Sequence, residues 1–317
     1  MKEQTIQSMM LPAAIVVGIS AYLVYHFVPA LRPIGPVCHV LAADGQRWVI
    51  ALLLFFQFVK VSPHDIRFRV WHFRALLFQI GCFLALAAVT AFSNPGNARI
   101  ILECAMLCLI CPTASAAGVV TEKLGGRLNE TVSYVVMINV VATLLIPLVI
   151  PLVKPSATLG FWAYVGHIAL RVFPVLILPC GLAWIIRYNT HKLQRMLMRW
   201  SRYSFYIWGV GLTLAMVLST RALLLSGLGI WPVLAIVLVS ILCCLVQFLL
   251  GRRFGVTKGG QQSIVITSGQ SLGQKNTGFL IWLGYNYMTP VTSVAGGLYA
   301  IWQNLFNSWE LYKKSRE

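Results

Sequence analysis

Residues 271–278 read Ser271-Leu-Gly-Gln-Lys-Asn-Thr-Gly278, and they stand between two apolar runs, SIVIT (263–267) and FLIWLG (279–284). A lysine flanked by glycines and amides is out of place there, because the rest of the chain has the composition of a bilayer protein. Of 317 residues, 58% are hydrophobic and 10% charged, and mean hydropathy is +0.78; about a quarter of a soluble domain is charged. A spanning helix needs roughly 20 mostly apolar residues. Ten such stretches can be drawn, at about 11–30, 47–62, 74–92, 99–122, 130–153, 160–186, 203–225, 231–250, 262–284 and 290–310. The expectation is an all-α polytopic membrane protein with ten transmembrane helices. The first run lacks a small-x-small cleavage signature and reads as a span, not as a removed signal peptide.

The net charge of +17 would suggest nucleic acid in a soluble protein, but here the basic residues sort by loop. With both termini inside, eighteen fall in cytoplasmic segments, among them Lys60, Lys123, Arg202 and Lys258. Five fall on the opposite side (Arg32, Arg47, Arg99, Lys154, Arg221), and Arg171 and Lys275 lie within spans. That asymmetry obeys the positive-inside rule and leaves no basic patch for nucleic acid.

Most of the eight cysteines fall inside spans and read as small packing residues. Cys104, Cys108 and Cys111 are spaced along one helix face, yet no histidine or carboxylate completes a metal-binding set. No nucleophile elbow, metal motif or pair of intramembrane carboxylates points to an enzyme, so neither a cofactor nor a metal is expected.

Ten spans divide into two halves of five, 1–155 and 156–317, and an odd number inverts the second half relative to the first. The fourth span of each half is unusual: one carries Cys111-Pro-Thr-Ala-Ser-Ala-Ala-Gly118, the other the stretch quoted above. Pro112 removes a backbone donor, and the glycines and short polar residues weaken the helical ladder. Both spans are therefore expected to be broken. Broken helices survive in lipid only where the freed backbone groups line a protein-enclosed cavity; the plainer alternative is a kinked packing helix with close small-residue contacts.

These two segments resemble bacterial members of the bile acid:sodium symporter family. The family's Cys-Pro-Gly-Gly-Thr-Ala-Ser-Asn segment aligns without gaps on Cys111 to Gly118, and its Glu-Val-Gly-Met-Gln-Asn-Ser-Gly segment on Ser271 to Gly278. FVKVSPHDI, ATLLIPLVIP and AGGLYAIWQN are further echoes. The resemblance implies a panel domain (spans 1, 2, 6, 7) and a core domain (spans 3–5, 8–10) in which the broken helices cross. It also implies a multi-pass protein of the bacterial inner membrane that transports an organic anion as a monomer.

The departures bear on coupling. Where sodium-using members place hydroxyl, amide and carboxylate ligands at one ion site, this chain has Ala117, Gly118, Val135, Asn139 and Ser271. Alanine, valine and glycine offer no side-chain oxygen to a hard cation. At the second site the family's third-span glutamine is matched by Gln79, but its glutamate is Ser271 and its glutamine is Lys275. The ammonium of Lys275 is thus expected to stand in for the ion, with Gln79, Ser271, Gln274 and Asn139 around it. Burying a lysine at the bilayer centre costs roughly 2.5–3.5 kcal/mol, so it needs partners; snorkelling to an interface is the alternative. Glu103 reads as the only intramembrane carboxylate and is expected to pair with Arg99, four residues earlier.

For the substrate, helix N-termini at the breaks favour an anion. By resemblance Ser115 and Asn276 hydrogen-bond it, and Thr113 and Thr277 are further candidates; in the sixth span Arg171, with His167 one turn earlier, either attracts it from the panel side or makes a structural contact at a domain edge. The leading expectation is a sodium-independent secondary transporter of a small organic anion working by alternating access. A sodium symporter with a rebuilt site, and a non-transporting receptor on the same fold, are the alternatives.

Overall fold

The computed structural model describes the backbone of residues 2–256 and 260–316, and the side chains of residues 10, 12–256 and 260–316. Lys258, assigned above to the cytoplasmic side, lies outside the described residues. Fourteen α-helices account for most of the described chain, with no strand among the described residues. In chain order they are α1 (Lys2–Phe27), α2 (Gly35–Lys60), α3 (Val70–Phe92), α4 (Asn97–Ile110), α5 (Ala117–Lys123), α6 (Leu128–Val153) and α7 (Phe161–Leu176). The remainder are α8 (Leu178–Asn189), α9 (His191–Trp200), α10 (Ser204–Leu225), α11 (Ile230–Phe254), α12 (Gln262–Gly273), α13 (Thr277–Tyr287) and α14 (Ser293–Lys314).

The packing is that of a membrane protein. Phe92, Leu170 and Trp231 are 91%, 77% and 78% exposed, whereas Gln79, Gln247 and Lys275 are completely buried. Water would penalise so apolar an exterior; lipid accommodates it and forces polar groups inward. Among the described residues, five helical stretches are long and apolar enough to cross a bilayer, and α7 with α8, bent by 40° at Ile177, make a sixth. Of the four other expected spans, the tenth, α14, is 22 residues long but less apolar, and three fall short for local reasons. The apolar part of α1 runs only from Pro12 to Phe27. The fourth and ninth expected spans are each two half-helices, α4 with α5 and α12 with α13.

One expected boundary needs correcting. The second span, drawn from about residue 47, begins at Gly35, where Pro36 in the first turn has no N–H to lose and its fixed φ suits a helix start. Between the sixth and seventh spans lies a separate helix, α9, whose basic residues Lys192, Arg195 and Arg199 ride on an exposed surface.

The helices pack in two groups. One consists of α1, α2, α8 and α10; the other of α3–α6 and α11–α14, with α7 packed chiefly on α6 and more lightly on α2 and α8. The groups meet where α10 lies against α13 and α14, where α2 lies against α13, and through α7. Both breaks belong to the second group, and the α12–α13 break faces the first.

Candidate functional site

Breaking a helix strands carbonyls at the end of the first half and N–H groups at the start of the second. Here the two breaks satisfy part of each other's need. Asn276 N–H donates to Pro112 O at 2.8 Å, and Ala114 N–H to Gln274 O at 3.1 Å. Thr113 and Lys275 therefore face each other across an antiparallel bridge. The Thr113 hydroxyl donates to Ser271 O at 2.6 Å, and the Cys111 thiol lies 3.1 Å from Asn276 O.

Side chains from neighbouring helices satisfy several more. At the end of α4, Gln247 donates to Cys108 O at 3.2 Å, and Gln79 donates to Leu109 O while its own oxygen accepts from Tyr134. At the end of α12, Tyr299 donates to Gly273 O at 2.8 Å and itself accepts from Gln247 at 3.0 Å. Gln303 on α14 closes both backbone groups of Lys275: its oxygen accepts the Lys275 N–H at 2.8 Å and its nitrogen lies 3.3 Å from Lys275 O. Asn276 caps α13 through a bond from Phe279 N–H to its side-chain oxygen at 3.2 Å, the usual service of an asparagine at that position.

Beside the crossed breaks lies a cavity of about 90 Å3. Its polar lining comes from Ser115, Gln274, Lys275, Asn276 and Thr277 at the breaks, Gln46 on α2, and Gln303, Asn304 and Asn307 on α14, with Trp208 of α10 as an aromatic wall. That volume exceeds the roughly 10–15 Å3 one water needs and falls below the roughly 300 Å3 of the smallest ligand pockets. It takes a polar group, not a whole organic molecule. A second cavity of about 400 Å3 continues it, sharing Leu53, Ser115, Ala116, Val120, Trp208 and Asn304. The mouth of this vestibule carries Lys60, Lys123 and Arg202.

Of the expected anion ligands, Ser115, Asn276 and Thr277 line the inner cavity. Thr113 does not, because its hydroxyl is spent on the Ser271 carbonyl. Arg171 and His167 lie elsewhere: the His167 ring packs between Tyr164 and Tyr287, and Arg171 lies near Tyr287.

Lys275 is 0% exposed, so it does not snorkel, and its Nζ has no hydrogen-bond partner among the described residues. The ionisable groups in electrostatic reach are the thiols of Cys111, Cys108, Cys243 and Cys244. The expected partners are engaged elsewhere. Gln79 caps α4, Ser271 donates to the Thr131 hydroxyl at 3.3 Å, Gln274 donates to Gln270, and Asn139 reaches toward Leu176 O at the α7–α8 bend, 3.5 Å away. Cys104, Cys108 and Cys111 form no metal-binding group with their neighbours among the described residues.

Three carboxylates are buried. Glu103 pairs with Arg99 at 3.6 Å, as its spacing suggested. Glu130 is held by Arg69 at 3.1 Å and Arg127 at 2.8 Å, and Glu310 pairs with Arg252 and accepts from Gln270 at 2.6 Å. Glu130 and Glu310 sit near helix ends, at the edges of the spans drawn from the sequence. The glutamines and asparagines around the cavity had a clearer sequence signal: Gln46, Gln303, Asn304 and Asn307 interrupt apolar runs, and each such amide needs a partner in a bilayer.

The fold and site define a helical membrane protein with a polar cavity at two mutually bonded helix breaks. No protein-family model matches the chain, and no curated protein matches it in sequence.

Proposed function

We propose that the chain is a secondary transporter of a small organic anion, built as ten spans in two inverted five-span repeats after the pattern of the bile acid:sodium symporter family. The observation that carries this reading is the continuity of the inner cavity at the paired breaks with a basic vestibule. A carboxylate hydrogen-bonds Ser115, Asn276 and Thr277, its organic body fills the vestibule, and Lys60, Lys123 and Arg202 attract it from the cytoplasmic side. The two helix groups correspond to a panel and a core, and alternating access is movement of the core, with its breaks, against the panel.

Independence from sodium is supported by the packing at the altered ligand positions. A Cβ at Gly118 would lie 2.6 Å from Leu128 Cδ1, so Leu128 fills the space of a ligand side chain, and Ala117 and Val135 are completely buried. Lys275 keeps a cationic group at the second ion position. Without a partner for its amine the lysine is suited to take up or release a proton as the core moves, which makes proton coupling the leading alternative to uniport or exchange.

The direct test is a thermal-shift screen of small mono- and dicarboxylates against detergent-solubilised protein, in matched sodium and potassium buffers. At least one carboxylate is expected to raise the melting temperature equally in both salts, and Ser115→Trp, which fills the cavity, to abolish the response. A shift with sodium alone, or binding indifferent to Ser115→Trp, overturns the assignment.

A further inference from the structure

At the opposite, sparsely basic end, α1, the 3-10 turn Pro29–Ile34, α2 and α10 enclose a cavity of about 740 Å3. It shares no lining residue with the cavities at the breaks, and its volume lies within the roughly 300–1,000 Å3 typical of ligand pockets. Most of its wall is hydrocarbon, including Leu31, Ile34, Leu41, Leu214, Val217 and Leu218. Ile34 and Leu41 are 50% and 63% exposed, so apolar side chains bordering the cavity also face the surroundings of the helix bundle. An amphiphile in the bilayer can enter sideways without crossing a polar rim.

Set into that wall are Arg32, Arg221, His39, Tyr22 and Tyr25. Arg221 donates to the Tyr285 hydroxyl, which His39 Nε2 also meets at 2.9 Å. These contacts orient the guanidinium without neutralising it. Neither Arg32 nor Arg221 forms an ion pair among the described residues, and the nearby carboxylate of Asp44 is taken by Arg47 at 3.3 Å. Two guanidiniums unmatched by any acid among the described residues, bordering a largely apolar wall, favour a ligand with the reverse arrangement: a negative head, which arginine can bind bidentately, and a hydrocarbon body.

We infer that this cavity binds an anionic amphiphile, its carboxylate or phosphate on Arg32 and Arg221 and its acyl chain along the wall formed by α2 and α10. The fit of the chamber is set locally: the Tyr25 hydroxyl lies where a Cβ at residue 35 would be, 2.0 Å away, so only glycine at that position lets the tyrosine close this side.

The chemistry has two sources, a free fatty acid and an anionic phospholipid, and the experiment separates them. Melting of the purified full chain is followed in detergent against oleate and against oleyl alcohol, and in nanodiscs of phosphatidylglycerol and of phosphatidylcholine. Oleate, phosphatidylglycerol or both are expected to raise the melting temperature while the neutral counterparts do not. A response to oleate alone assigns the free carboxylate, and one to phosphatidylglycerol alone assigns the lipid. Arg32→Gln, at an exposed position, is expected to weaken the apparent affinity at least tenfold, and Leu214→Trp, which fills the chamber, to remove the response. Equal effects of charged and neutral compounds, no response to either anion, or variants that respond like the parent overturn the inference.

Discussion

Gln303→Leu tests whether the crossed breaks are held together as described. Gln303 is 7% exposed and its amide closes both backbone groups of Lys275. Leucine has similar bulk, so the change removes polarity more than volume. The Lys275 N–H then has no partner in a buried place, which costs about 1–3 kcal/mol. The Lys275 carbonyl still accepts from Thr277 N–H at 2.8 Å, so losing its second bond costs only the net worth of an ordinary hydrogen bond, about 0.5–1.5 kcal/mol. The expected destabilisation is about 1.5–4.5 kcal/mol in total, read by equilibrium unfolding in mixed micelles. Hydrogen exchange at Lys275 should accelerate with it. A variant within about 0.5 kcal/mol of the parent, with unchanged exchange at Lys275, would show that the bond from α14 does not hold the break.

Gly273→Ala places a Cβ 2.3–2.6 Å from the Phe248 ring atoms, and overpacking of that kind costs about 1–3 kcal/mol; an unchanged melting temperature would mean the ring yields freely. Asn276→Ala removes the cap of α13, lowering stability by about 0.5–2 kcal/mol, and also weakens binding of whichever carboxylate the thermal screen identifies. If affinity stays unchanged while stability falls, Asn276 is structural only. Lys275→Gln is expected to stop transport, and its combination with Ser271→Glu to confer a sodium-specific gain in melting temperature. Parent-like transport and melting of Lys275→Gln in sodium and potassium across a pH series would show the lysine to be merely tolerated.

Much of the fold was legible because bilayer physics leaves few options. Apolar runs near 20 residues, the sorting of basic residues and the helix-breaking chemistry of Pro112 and Gly273 are all local features. Their pairing is not: nothing within residues 111–118 encodes that Pro112 O will receive the Asn276 N–H. The start of α2 was drawn late because Asp44, Gln46 and Arg47 lower the local hydropathy, although they sit within the helix. Lys275 is buried, and the side chains expected around its amine make other contacts. Gln79, Ser271, Gln274 and Asn139 satisfy backbone and hydroxyl groups elsewhere, and thiols on α4 and α11 lie in reach of the amine instead. Side-chain partners depend on how helices rotate about their axes, which alignment of two motifs does not specify. The vestibule was visible only in part: Lys60, Lys123 and Arg202 were read as loop charges, and their meeting at one mouth is a product of packing.

We propose that an organic anion passes through the crossed breaks without sodium. The most direct test is uptake into proteoliposomes of a radiolabelled carboxylate chosen by the thermal screen, with sodium or potassium outside, for the parent and for Ser115→Trp. Equal uptake by the parent in both salts, saturating with substrate and lost in Ser115→Trp, is the expected result. Uptake that requires an inward sodium gradient, or that persists in Ser115→Trp, would contradict it.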